Sequence, residues 1–367
     1  MEPFNPNVSN PNNISELQTN TKKMSQYVTI GFVVRRSRRS SPPEANERLP
    51  PGVQEVISRG SCYIGKLNDR IVLKYASDLN DLGFRTSIKV ERRILQIIGP
   101  HPRIIQSMGL VEDGLILKYY PNGTLHKYIE AHPDETLERR LEWCKQLIDT
   151  LSFVHSKRVI HCDICLSNIF LDENFNIILA DFQGLVFSSV NGLPLLDGMT
   201  RECAKAYMPR QHLYVVNVQT DLFAVGSAIY HIIAGHEVFP ELDSFDDEDA
   251  ITARFINGDF PNNDYVASHI VEKCWRGEYS SAAEISADIA AVQAAGENVD
   301  EELRQLDVDM EFEGEKYYQY EEEEEEQGKD EEEDAEYDEE EDAEYDEEED
   351  AEYEYEDEED EEDEKVL

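Results

Sequence analysis

The chain has no run of apolar residues near the ~20 that a membrane-crossing helix needs, which sets aside a helical membrane span. Its first residues, Met1-Glu2-Pro3-Phe4-Asn5-Pro6, lack the charged-then-apolar order of a secretory signal. Cysteine is sparse: six residues, at 62, 144, 162, 165, 203 and 274, with no framework spacing. That usage fits free thiols in a reducing compartment, so a cytoplasmic or nuclear location is expected. Cys162 and Cys165 form a CxxC, but no second pair accompanies it, and a structural reading is preferred to a redox or metal one. Positive charge is the scarcest property: 33 Lys+Arg stand against 80 Asp+Glu, a net charge of −47 over 367 residues. Direct nucleic-acid binding is therefore not expected.

The acidity is uneven. Residues 301–367 hold 41 Asp+Glu and 4 Lys+Arg, a net of −37, which leaves 39 acidic and 29 basic residues, or −10, in the first 300. The unit DEEEDAEY recurs at 330–337, 338–345 and 346–353. A period of eight without an apolar face cannot build a core. Residues 297–367 are thus expected to be a disordered, acidic, low-complexity tail. Basic proteins are its natural partners, and a purely solubilising role is the alternative. At the other end, residues 1–52 form an expected disordered or partly ordered extension, rich at first in Asn, Pro, Ser and Thr. It contains one β-like run, Tyr27 to Val34. The run Arg35-Arg36-Ser37-Arg38-Arg39 follows and is open to four readings: a nuclear address, a phosphate-binding patch, a solvated linker or a partner for the chain's own acidic tail.

Between them, residues 53–296 read as the folded body. A turn-bearing hairpin is expected over 57–66, and strands over 70–75 and 115–120, the second stopped by Pro121-Asn122-Gly123. Helical periodicity covers 87–98, where Val90, Ile94, Leu95 and Ile98 recur before Gly99-Pro100. It covers 137–157 more strongly, with Leu137, Leu141, Cys144, Ile148, Leu151 and Val154 on one stripe. Further helices are expected over 222–234, 249–257, 266–275 and 282–295. Strands first and helices later define an α+β, two-lobed arrangement.

The segment Val159-Ile160-His161-Cys162-Asp163-Ile164-Cys165-Leu166-Ser167-Asn168-Ile169-Phe170-Leu171 lies at the centre. Two apolar runs flank a polar loop with an Asp and, five positions on, an Asn. Ile177-Ile178-Leu179-Ala180-Asp181-Phe182-Gln183-Gly184 then places a second Asp after another apolar run. This pattern resembles the catalytic and metal-binding loops of the eukaryotic protein kinase family, His-Arg-Asp with an Asn five on, then Asp-Phe-Gly. The resemblance covers about two thirds of the chain and implies a kinase fold with a β-rich N-lobe and a helical C-lobe. It implies ATP and Mg²⁺ as cofactors and a protein Ser or Thr hydroxyl as acceptor. Residue by residue, it makes Asp163 the catalytic base, Asn168 and Asp181 the metal ligands, Lys74 the strand lysine on the phosphates and Glu91 its helix partner. Ser58 and Gly60 fall in the glycine-rich loop. Leu117 and Tyr119 fall at the nucleotide pocket, and Asp221 opens Asp221-Leu222-Phe223-Ala224-Val225-Gly226 as a brace for the catalytic loop.

The departures are as specific. The three glycine positions of the loop hold Ser58, Gly60 and Tyr63. Cys162 replaces the arginine that receives an activation-loop phosphate. Cys165 and Ser167 stand where the family keeps a Lys or an Arg to neutralise the transferred phosphoryl group. Gln183 replaces the glycine of the metal loop. Near Ala206-Tyr207-Met208-Pro209-Arg210-Gln211 the family's buried Glu–Arg pair is expected to be missing on both sides. Three readings therefore stand: an active kinase of reduced rate, a pseudokinase-like binding scaffold, or a tail-led binder of basic proteins.

Overall fold

The computed structural model describes residues 49–60, 62–78, 81–261 and 264–296. The β-like run 27–34, the Arg-rich run and the acidic tail lie outside the described residues.

Five strands build an antiparallel sheet: β1 (Glu55–Ser58), β2 (Tyr63–Lys66), β3 (Ile71–Tyr75), β4 (Ser107–Leu110) and β5 (Gly114–Lys118), in the order β1-β2-β3-β5-β4. Asn68 makes the β2–β3 turn, its side-chain oxygen accepting from the N–H groups of Arg70 and Ile71 at 2.8 and 3.1 Å. In β3 the register sets Lys74 opposite Ile64 on one side and Leu115 on the other. The strand centre is buried, and so is its lysine.

Helix α1 (Leu82–Ile98) packs against this sheet. Asp81 caps it by accepting from Phe84 N–H, and Gly99 closes it. It starts five residues before the periodicity suggests, because Asp81 supplies the start signal. Its buried stripe, Ser87, Ile88, Glu91, Ile94, Leu95 and Ile98, carries one charged residue. No apolar pattern accounts for Glu91 on that face.

The helical part begins with α2 (Leu125–Ala131), capped by Thr124, and α3 (Leu137–Ser156), capped by Thr136. Short strands follow: β6 (Val159–Ile160), β7 (Ile169–Leu171), β8 (Ile177–Leu179), β9 (Leu185–Phe187) and β10 (Pro194–Asp197). β7 pairs with β8, and β9 lies between β6 and β10. The loops that join β6 to β7 and β8 to β9 are thus pinned at both ends.

Helix α4 (Val218–Ala234) is buried along nearly its whole length. A helix apolar all round belongs in a core. Asn217 and Thr220 form a reciprocal capping box at its start. Helices α5 (Glu248–Asn257), α6 (Ser268–Trp275) and α7 (residues 282–296) surround it. Gly226 lets α4 and α6 touch: a Cβ there would lie 2.7 Å from Cys274 Cβ. Trp275 Nε1–H, beside it, donates to Ser227 Oγ at 3.1 Å. One continuous apolar core runs from Val72 of the sheet through Trp143 and Ile229 to Ile289.

Candidate active site

The catalytic-loop segment is shaped from below. Asp221, fully buried in the first turn of α4, accepts from the backbone N–H of His161 at 2.8 Å and of Cys162 at 2.9 Å. The same carboxylate meets His155 Nε2 at 2.9 Å. These bonds hold Cys162 at a φ of 67°, a left-handed conformation that costs a non-glycine residue energy unless its surroundings impose it. His161 adds a second brace, with Nε2 at 2.9 Å from Ala180 O and Nδ1 at 3.3 Å from Asp163 N. Its ring also meets Phe182 edge-on, at 4.9 Å between centroids.

Asn168 donates from Nδ2 to Asp163 O at 2.8 Å and to Asp163 Oδ2 at 3.0 Å. The amide nitrogen is the end used for these bonds, so the amide oxygen is the end a cation would meet. Asp181 has a φ of 65° and keeps 32 % of its side chain exposed. Its Oδ1 lies 2.5 Å from Lys74 Nζ, which is also 2.7 Å from Glu91 Oε2. The structure thus brings together Lys74, Glu91 and Asp181 from a strand, a helix and a loop.

Burial alone would lower the Lys74 pKa. Asp181 and Glu91 outweigh it, and the ammonium stays well above the ordinary lysine value. Burial pushes the Glu91 carboxyl up, while Lys74 and Gln183 pull it down. Cys62 sits beside this group, and burial pushes its thiol up to about 12, so it is no nucleophile at neutral pH.

A hollow of about 380 Å³ opens over these residues. Its apolar wall includes Ile57, Val72 and Leu117, and its polar end holds Lys74, Asn168 and Asp181. Ser58 and Gly60 lie over it, and Tyr119 and Tyr120 line its rear. Tyr119 N–H is already committed to Arg70 O at 2.8 Å. Oxygen donors at one end suit a hard divalent cation, and an apolar slot beside a lysine suits a nucleotide. A larger concavity of about 650 Å³, lined by Arg92, Gln96, His101 and Glu173, contains none of Lys74, Glu91, Asp163, Asn168 and Asp181.

Two features escaped the sequence. Gln183, in place of the metal-loop glycine, turns inward and donates from Nε2 to Glu91 Oε2 at 3.1 Å. Gly184, next to it, permits close approach: a Cβ there would lie 2.1 Å from Ile160 O. The second lies in the segment after β10. The family's Glu–Arg pair was expected to be missing there, and a different pair is present: Arg210 Nη2 lies 2.7 Å from Glu202 Oε2, and the Glu202 side chain is fully buried. The arginine comes from the segment itself and finds its carboxylate eight residues upstream. Arg201 forms a second such clamp, with Nη1 and Nη2 at 3.2 and 2.8 Å from the two oxygens of Asp197.

A family model described as protein kinase domain matches residues 60–283, more than half of the chain. The chain belongs to the protein kinase family. It is similar to the protein named Probable serine/threonine-protein kinase samkA of Dictyostelium discoideum, 28% identical over 210 residues, which is 53% of this chain and 32% of that protein. Serine/threonine-protein kinase ppk16 of Schizosaccharomyces pombe is 28% identical over 208 residues, 52% of this chain and 29% of its own length. Aurora kinase C of Mus musculus is 27% identical over 191 residues, 49% of this chain and 67% of that kinase. The chain spans well under two thirds of the first two relatives. Membership implies ATP, a divalent metal ion and a protein substrate. No described helix is long and apolar enough to cross a membrane.

Proposed function

We propose that this protein kinase transfers the ATP γ-phosphate to a Ser or Thr hydroxyl of a protein, at a rate below that of an ordinary kinase. One observation carries the reading: Lys74 Nζ is paired at once with Glu91 Oε2 at 2.7 Å and Asp181 Oδ1 at 2.5 Å. A chain that only lends its surface has no use for a buried lysine held between a helix and the metal loop.

In this reading Mg²⁺ with ATP supplies the phosphoryl group and the charge that balances it, held by Asn168 and Asp181. Lys74 orients the α- and β-phosphates, and Glu91 keeps Lys74 from turning away. Ile57, Val72 and Leu117 take the base. Asp163 accepts the hydroxyl proton at a carboxylate oxygen, and its bond from Asn168 fixes which way that carboxylate faces. The rate is reduced because Cys165 and Ser167 offer no cation to the transferred group. The scaffold alternative is favoured by the degraded loop, in which Ser58, Gly60 and Tyr63 leave one glycine of three.

The deciding experiment is phosphotransfer from labelled ATP to a generic Ser/Thr substrate, by wild type and Asp163→Ala, with and without Mg²⁺. Metal-dependent transfer by wild type, absent in Asp163→Ala, supports the enzyme. No transfer above the Asp163→Ala background, together with no metal-dependent nucleotide binding by calorimetry, leaves the scaffold.

The sequence of the acidic tail supports a second activity, binding of basic proteins through screened charge. Deleting residues 300–367 is expected to abolish salt-sensitive capture of a basic protein and leave the melting temperature nearly fixed. Capture that survives the deletion would place this binding elsewhere.

A further inference from the structure

Beside the catalytic-loop segment, sharing only Ser167 with the lining of the nucleotide hollow, lies a small cavity of about 50 Å³. Its walls include His126 of α2, His231 near the end of α4, and Glu237 just beyond that helix. One ligand-type atom from each of these residues lies within 4.8 Å of the others. We propose that His126, His231 and Glu237 form a binding site for a transition-metal ion of the zinc class, separate from the Mg²⁺ ligands of the kinase reaction.

The chemistry of the donors is selective. Two imidazoles and one carboxylate suit zinc, cobalt or nickel, whereas Mg²⁺ demands oxygen. Two histidines and a glutamate with one position left open is an arrangement found in zinc sites. A tetrahedral ion about 2.0–2.2 Å from each ligand holds them roughly 3.5 Å apart. The three atoms must therefore close by little more than about 1 Å. His126 is half-buried and Glu237 exposed, so both can move to do it. The cavity has room for one ion and a water, which occupies ~30 Å³.

His231 gives the second observation. It is buried and lines the cavity. Its ring is met edge-on by His126 at 5.2 Å between centroids. Near His126, Glu130 Oε1 lies 3.4 Å from Nε2. A carboxylate there is suited to hold the second ring N–H and fix the tautomer of a ligating histidine.

A competitor is already seated. Lys205 Nζ lies 3.1 Å from Glu237 Oε2 and tethers the activation segment to the turn that follows α4. The ion takes over the charge balance of Glu237, and Lys205 is released. Metal binding and this tether therefore oppose each other, which ties the ion to the freedom of the segment carrying Cys203 and Lys205.

The test is Co²⁺ titration of the full chain, followed by visible d–d absorption, in a large excess of Mg²⁺ to occupy the acidic tail. We expect one Co²⁺ per chain, displaced by Zn²⁺. His126→Ala and Glu237→Gln should each weaken binding by about tenfold or more, and Lys205→Met should strengthen it severalfold. Glu237→Gln is isosteric and exposed, so it decides the matter if His126→Ala fails to fold. Absence of the band in wild type overturns the site. So does a band indifferent to Glu237→Gln, or one weakened by Lys205→Met.

Discussion

Gln183 Nε2 donates to Glu91 Oε2 at 3.1 Å, on the same oxygen that Lys74 reaches at 2.7 Å. The metal loop and helix α1 are thereby joined directly, through a side chain that the family's glycine cannot provide. Thr200 Oγ1 donates to Gln183 Oε1 at 3.3 Å, which extends the link to the activation segment. A hydrogen bond to a buried charged group contributes about 1.5–3 kcal/mol. Gln183→Ala is expected to lower stability by about that amount, measured by chemical denaturation. An unchanged midpoint would mean that Glu91 is held by Lys74 alone.

The Lys74–Glu91 pair gives a prediction about coupling. Removing one member of a buried ion pair costs about 3–5 kcal/mol, because a charge remains unpaired, while replacing both with apolar groups is far cheaper. Lys74→Met should therefore destabilise the protein more than the double variant Lys74→Met with Glu91→Leu. Nucleotide placement should fail in both. A double variant less stable than Lys74→Met would show that Gln183 and the helix need the carboxylate for itself.

The activation segment holds itself. Asp197 and Arg201 form a bidentate pair, and Glu202 and Arg210 a second. Burial raises the Glu202 carboxyl pKa, and Arg210 opposes it. Cys162 offers no cation to a phosphate on Ser188, Ser189 or Thr200. Activity is expected to survive phosphatase treatment. Arg201→Ala should instead speed hydrogen exchange across residues 194–202. Complete loss of transfer after phosphatase would contradict this account.

Cys165 and Ser167 predict a gain. A missing stabilising charge in a water-poor site costs about 3 kcal/mol, or roughly a hundredfold in rate. Cys165→Lys should raise the transfer rate toward that factor without changing the KM for ATP. A rate unchanged in a well-folded variant would place the deficit elsewhere, with the glycine-poor loop the next candidate.

Acid sensitivity has a local source. Lys273 and Tyr279 bond to Asp288 at 2.6 Å each and hold its pKa below the ordinary carboxylate value. Such a group adds stability above its unfolded pKa, near 3.9, and loses it as pH falls through the depressed folded value. Between about pH 5 and 2 the melting temperature of wild type should fall more steeply than that of Asp288→Asn.

Much of this was legible beforehand, for reasons that differ by element. Helix α3 was readable because its stripe repeats over five turns, and α4 because Asp221 and Gly226 mark it. Helix α2 was not, since seven residues are too few to establish a period. Strand β4 carries Gly109 at a φ of 147° and turns its apolar residues, Met108 and Leu110, outward. Strands β9 and β10 exist because they pair with β6 and with each other, a fact of tertiary structure. The grouping of Lys74, Glu91, Asp163, Asn168 and Asp181 followed from motif order. The bond from Gln183 to Glu91 spans 92 positions and has no local signature. Nor does the choice of Glu202 by Arg210, which depends on how one loop folds over itself.

Asp221 has a wider implication. It grips the loop only by backbone N–H groups, at His161 and Cys162, and leaves every other side chain of the loop out of the bargain. The loop's backbone shape is thus written in helix α4, while its chemistry is written in side chains to which Asp221 makes no bond. Cys165 and Ser167, half-buried and exposed, are interchangeable parts on a fixed mount. A chain built this way can lose or regain phosphotransfer by single substitutions with its architecture unchanged, and that makes it a chassis on which kinase and pseudokinase are neighbouring settings.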